Sequence, residues 1–370
     1  MRCAVVGVFL AAASATGAFA QAGPAPVEMQ VLEGVVERVL DDRDLVGPDG
    51  FRQPFQRLEV RLLEDPGRGT LVAVDNGQVQ RVGVLRFERG DRVMVTPVRR
   101  SNGVVAYEIV DAVRRDALLL LAATFVVLTL AVARLRGAAS LLSMALSFLL
   151  LFTFVLPRIS AGADPILVTI AAATVIIPTS FYLSHGLSRK TTAAVAGTLA
   201  ALLVTGALAR VTTRAARLSG LSSDEAMFLQ ASAGADFDMR GLLLASILIG
   251  LLGILDDVTI SQAAVVNQLR SASPHMPVRE LVRRAMDVGT DHIASLVNTL
   301  VLVYTSTALP LILLFTSGQA PFREVVNYEI VAEEIVRTLV ASIGLILAVP
   351  VTTVIAAFYV GGAPKDAPRS

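Results

Sequence analysis

Beyond Ala117 the chain returns repeatedly to apolar runs of about twenty residues, the length needed to cross ~30 Å of hydrocarbon. Within a bilayer the backbone must satisfy its own hydrogen bonds, so such runs can only be helices or strands of a closed barrel. Continuous apolar character, without alternation, selects helices. About seven spans are predicted, near 117–133, 139–157, 165–183, 192–209, 241–265, 293–316 and 335–360, which makes 117–360 an α-helical membrane bundle. Composition agrees, at 54% hydrophobic, 17% charged and a mean hydropathy of +0.66, far from a soluble average. A net charge of +1 gives no sign of nucleic acid as a partner.

The opening "MRCAVVGVFLAAASATGAFAQAG" sets Arg2 before a short apolar core and ends that core on Ala18-Phe19-Ala20. This is the pattern of a secretory signal over 1–20, cut before Gln21. The one cysteine, Cys3, precedes the apolar core, so a mature chain would form no disulfides and no cysteine metal sites.

Residues 27–113 read differently. In "RLEVRL" Leu58, Val60 and Leu62 share one face, and in "DRVMVTPV" Val93 and Val95 do. Turn signals such as "GPDG", "DNG", "ERGD" and "SNG" separate the runs. About five short strands in this length predict a small all-β, OB-like barrel. The aromatics Phe51, Phe55, Phe87 and Tyr107 form no stacking pattern, so a structural or protein-docking barrel is preferred to an oligonucleotide binder.

An exported barrel makes the first span enter from outside and leaves the tail, 361–370, in the cytosol. Arg134, Arg136, Arg189, Lys190, Arg270, Arg279, Arg283 and Arg284 then fall inside, as the charge rule for membrane proteins expects. Glu324, Glu329, Glu333 and Glu334 fall outside, and Arg114 and Arg115 run against the rule. The expected location is a bacterial inner membrane.

Two connections carry helical patterns. "SSDEAMFLQAS" opens with Ser222 and Glu225 at capping-box spacing. "MPVRELVRRAMDVG" sets Val278, Leu281, Val282 and Ala285 on one face, so it either lies along the cytosolic membrane surface or packs on its own bundle.

Amid the apolar residues of "GLLGILDDVTISQAAVVNQL" stand Asp256 and Asp257. Two ionised aspartates at a span's centre cost ~5–7 kcal/mol, whereas seven Leu and three Ile between Gly241 and Leu255 return about 3–6. The segment inserts with little surplus, so lipid-facing ionised carboxylates are excluded. Successive helical residues lie about 100° apart, so both carboxyls can face a bundle interior together. Thr259, Ser261 and Asn267 extend the polar surface below them. The next span adds Asp291, Ser295, Asn298 and Thr305 at helical spacing. Together these predict a hydrated polar track in which the aspartate pair relays protons, since intramembrane ionisable residues are functional by default.

Other chemistry is absent. His185, His275 and His292 lie far apart in sequence and make no metal pattern, and neither G-x-x-x-x-G-K-[ST] nor G-x-S-x-G occurs, so no enzyme and no cofactor is expected. A carrier using the two carboxylates as hard metal ligands would need more oxygens than the segment supplies.

The segments "TTRAARLSGLSSDEAMFL", "DMRGLLLASILIGLLGILDDVTISQAAVVNQLR" and "DHIASLVNTLVLVYTSTALPLILLF" resemble the YibE/F-like family of bacterial multi-pass membrane proteins. That resemblance implies an architecture and no reaction. The aspartate region is also similar, more weakly, to resistance-nodulation-division transporters, whose adjacent aspartates relay protons. This chain differs in having one repeat, no large porter domains, and lysines only at 190 and 365. The expectation is a proton-coupled transporter or permease that assembles with copies of itself or with an envelope protein. The alternative is a non-transporting scaffold whose barrel docks an envelope partner.

Overall fold

The computed structural model describes residues 31–361 except 47–49, 66, 79–82, 100–104, 234–236 and 319–320. The expected signal, 1–20, lies outside the described residues, as does all but the first residue of the expected tail.

Five strands form a closed barrel: β1 Leu32–Val46, β2 Arg52–Leu62, β3 Leu71–Asn76, β4 Arg92–Arg99 and β5 Val105–Ala112. Their order around the barrel is β1-β2-β3-β5-β4, with β1 also paired to β4. Every pair is antiparallel except β3 with β5. Alternation sorts the side chains, and Leu58, Val60, Leu62, Val93 and Val95 all enter the core with Leu32, Val36, Val74 and Phe87. Register shifts in β1 between Val36 and Arg38 and between Val39 and Asp41 bend that strand around the closure. The segment before β4 is held by Gln56, whose side chain accepts from the Phe87 amide at 2.8 Å and donates to its carbonyl at 3.1 Å. Phe55 and Phe87 are buried, so they offer no exposed stacking platform.

The helices are α1 Arg115–Ser160, α2 Pro165–His185, α3 Arg189–Ala215, α4 Asp224–Ala233, α5 Met239–Ala272, α6 Val278–Thr307, α7 Leu309–Ser317, α8 Phe322–Val325 and α9 Glu329–Gly361. Five of them are long and apolar enough to cross a membrane, or six when α6 and α7, bent by 66°, count as one span. The first two expected spans, 117–133 and 139–157, are counted together in α1, on either side of a break at Arg134. At Arg134 the backbone leaves helical geometry (φ 50°, ψ −127°). A Cβ on Gly137 would stand 2.5 Å from the Thr129 carbonyl oxygen. In a straight helix residues eight apart are separated by ~12 Å, so the chain folds back here, and glycine permits the close approach.

The bundle core is built from α3, α5 and α9, with α2 and α6 packed around it. Small residues set the spacing, as they do between membrane helices. A Cβ on Gly197 would lie 2.3 Å from Thr352, and one on Gly344 would lie 2.6 Å from Thr205. These two crossings run in opposite senses along the chain, so α3 and α9 are antiparallel.

One local expectation is corrected, and one left between two alternatives is decided. Ser223, not Ser222, receives the amide of Ala226 at the start of α4, and Ser222 donates instead to Glu333. The amphipathic stretch from Val278 is the first part of α6, with Leu281 and Ala285 fully buried against the bundle, so it packs on its own protein.

Candidate functional site

Helix α5 carries the aspartate pair. Asp238 caps it by accepting from the Gly241 amide at 2.8 Å. Its 34 residues extend ~51 Å, well beyond the hydrocarbon thickness, and Asp256 and Asp257 lie near the middle. One side of the helix is buried against α2, α3 and α9 through Leu251, Leu255, Ala263 and Val266. The opposite side is bare: a Cβ on Gly250 or Gly253 would meet nothing within 4 Å.

The two carboxyls part company. Asp256 is half-buried, and its Oδ2 accepts from Ser180 Oγ of α2 at 3.5 Å, long for such a bond. Its Oδ1 is buried with no hydrogen-bond partner among the described residues. Asp257 is exposed. The arrangement in which both face the interior together is therefore not realised. A 100° step at the edge of the packed face turns one side chain in and the next out.

Asp256 borders a cavity of about 380 Å³ between α1, α2 and α5. Its walls combine apolar residues such as Leu151, Ile176 and Ile249 with Ser140, Ser143, Ser147, Thr169 and Ser180. Ser140, Ser143 and Ser147 follow one face of α1 at i, i+3 and i+7. This stripe escaped the sequence reading, although "SLLSMALS" has helical spacing that could have exposed it. Ser180 has no such signal. An underbonded carboxyl beside hydroxyls in a confined space has what proton binding and release require.

The remaining residues of the motif serve packing. Thr259 is fully buried, its hydroxyl 2.6 Å from that of Thr198 on α3 and 2.9 Å from the Leu255 carbonyl. Gln262, passed over in the sequence, donates to the Ala285 carbonyl at 2.9 Å and to Thr353 Oγ at 2.7 Å, tying α5 to α6 and α9. Ser261 and Asn267 are half-buried along α5.

The α6 half of the expected track is not joined to the pair within one chain. Asp291, Ser295, Asn298 and Thr305 are all exposed, whereas Gly289 and Leu300 on the far side of α6 are buried. Thr305 borders a separate cavity of about 520 Å³ with Tyr304, Phe315 and Glu334. Among the described residues no group of three or more His, Cys, Asp or Glu is placed to hold a metal ion.

Residues 121–362 match the family model described as YibE/F-like protein. No curated protein and no solved structure matches the chain, and the likeness to resistance-nodulation-division transporters is not supported.

Proposed function

The chain belongs to the YibE/F-like protein family, and on that premise we propose that this membrane protein couples proton movement at Asp256 to transport, without an enzymatic step. The observation that carries this reading is Asp256 at the wall of a serine-lined cavity, its Oδ1 buried and without a hydrogen bond among the described residues. A purely structural carboxyl would be expected to engage both oxygens, because a buried unsatisfied group costs ~1–3 kcal/mol or more. Ser180 and the α1 serines give a hydroxyl-lined approach to it.

The proposed setting is a bacterial inner membrane, with the barrel outside and the C-terminus in the cytosol. Arg134 and Arg136, at the break within α1, and Arg189 and Lys190, at the start of α3, support this orientation, since each pair falls where the chain turns between apolar runs. The proposed assembly is with a second copy of the chain. An ionised Asp257 facing lipid would cost ~2.5–3.5 kcal/mol, and the stripe of Asp291, Ser295 and Asn298 adds to that penalty. A partner covering both helices would remove it.

Purified protein in liposomes containing a pH-sensitive dye tests the reading. The expected result is proton uptake by wild type and its loss in a folded Asp256→Asn variant. Uptake unchanged by that substitution would contradict the proposal. A variant that retains its cellular role despite substitution of both aspartates would favour the scaffold alternative.

A further inference from the structure

At the end of the bundle where α3 finishes and α5 begins lies another cavity, of about 390 Å³. Three arginines line it: Arg210 and Arg214 from α3, and Arg240 from the first turn of α5. Arg210 and Arg214 are four residues apart, so their side chains leave the same face of α3 one turn apart. Arg240 is anchored by Nε, which donates to the Leu218 carbonyl at 2.8 Å, and its terminal nitrogens have no partner among the described residues. The side chains of Arg210 and Arg214 make no hydrogen bond or ion pair among the described residues.

The two aspartates in the lining offset this set only in part, and neither pairs directly with an arginine among the described residues. Asp164 Oδ1 accepts from the amides of Ile166 and Leu167 at 2.8 and 3.0 Å, capping α2. Asp238 Oδ1 caps α5. Three guanidinium groups against two carboxylates leave one positive charge in the lining.

Membrane topology does not account for these arginines. Basic residues gather at one end of spanning helices, and α3 already carries Arg189 and Lys190 at its other end. Planar guanidinium groups lining one cavity, with terminal nitrogens unpartnered among the described residues, suit the oxygens of a phosphate, which they bind through paired hydrogen bonds.

We propose that Arg210, Arg214 and Arg240 form a binding site for a phosphate-bearing monoanion, supplied by an anionic phospholipid headgroup or by free phosphate. Ile166, Phe237 and Leu244 border the same cavity and provide the apolar side that a lipid's glycerol end would need. The proposal does not depend on proton movement at Asp256, and its test reads binding, not flux.

The test uses the full chain in two arms. In one, detergent-solubilised protein is titrated with radiolabelled inorganic phosphate by equilibrium dialysis. In the other, protein from nanodiscs of phosphatidylcholine mixed with phosphatidylglycerol is examined for retained anionic lipid by native mass spectrometry. Binding in the first arm identifies free phosphate as a ligand, and selective phosphatidylglycerol retention in the second identifies the lipid. In whichever arm binding occurs, the double variant Arg210→Gln with Arg214→Gln is expected to weaken it at least about tenfold, since each charge-assisted bond removed accounts for roughly that factor. Should the glutamine variant fail to fold, Arg210→Lys with Arg214→Lys keeps the charge and loses the fork, and weakened binding is expected there too. Absence of binding in both arms, or equal binding by wild type and folded variants, overturns the site.

Discussion

Ser180 on α2 donates its hydroxyl to Oδ2 of Asp256 on α5 across 3.5 Å, the one hydrogen bond that reaches this carboxyl among the described residues. Two residues 76 positions apart in the chain thus meet at the group proposed to carry the proton.

Removing that hydroxyl tests whether it takes part. Ser180→Ala should fold normally, because the bond is long and the loss is ~0.5–1.5 kcal/mol at most. If the hydroxyl assists proton transfer, dye-reported uptake in liposomes should fall about 2- to 10-fold. An unchanged rate would remove Ser180 from the path.

Gln262 tests the opposite role, that of a structural tie. Gln262→Leu leaves the Ala285 carbonyl and Thr353 Oγ without their shared donor, although Thr353 Oγ still donates to the Val349 carbonyl at 2.7 Å. A loss of ~1–3 kcal/mol is expected, read as a lowered melting temperature in detergent. No destabilisation would mean that the tie is dispensable.

Packing of α3 on α9 can be probed at Gly197. A valine there would collide with Thr352, which stands 2.3 Å from the Cβ position. Overpacking of this kind costs ~1–3 kcal/mol, and the variant should melt earlier or fail to purify as a single species. Wild-type behaviour would show that the two helices are free to separate.

On the barrel side, Asp111 is held below the usual carboxylate range by the hydrogen bond from Arg114, at 2.7 Å, and by the Ala112 amide. A depressed folded value means that this contribution is present above the unfolded value near 3.9 and is lost as pH falls through the lower, folded one. The melting difference between wild type and Asp111→Asn should therefore be present at neutral pH and shrink in acid below about pH 4. A difference that grows on acidification would reverse the sign and contradict the assignment. The pair is exposed, so the effect is small.

Legibility in the sequence followed the range of the interactions. Alternation in "RLEVRL" placed Leu58, Val60 and Leu62 in the barrel core because a strand's two faces are fixed by neighbours two residues away. The apolar runs placed the spanning helices for a similarly local reason. What escaped depended on distant chain. Whether Asp256 or Asp257 turns inward is set by α2 and α3 packing on one side of α5, while no described residue packs against Gly250 or Gly253 on the other. The α6 stripe had helical spacing but no indication of direction, and it turns away from the bundle because Gly289 lies against Val349 and Gln262. The break at Arg134, by contrast, was read from the sequence, as the gap between the apolar runs 117–133 and 139–157 that holds Arg134 and Arg136.

The most direct measurement compares proton uptake by liposomes carrying wild type, Asp256→Asn and Asp257→Asn at matched protein density, with folding verified by melting temperature. The account predicts that Asp256→Asn abolishes uptake, because Asp256 alone of the two borders the serine-lined cavity. Full uptake by folded Asp256→Asn would contradict it.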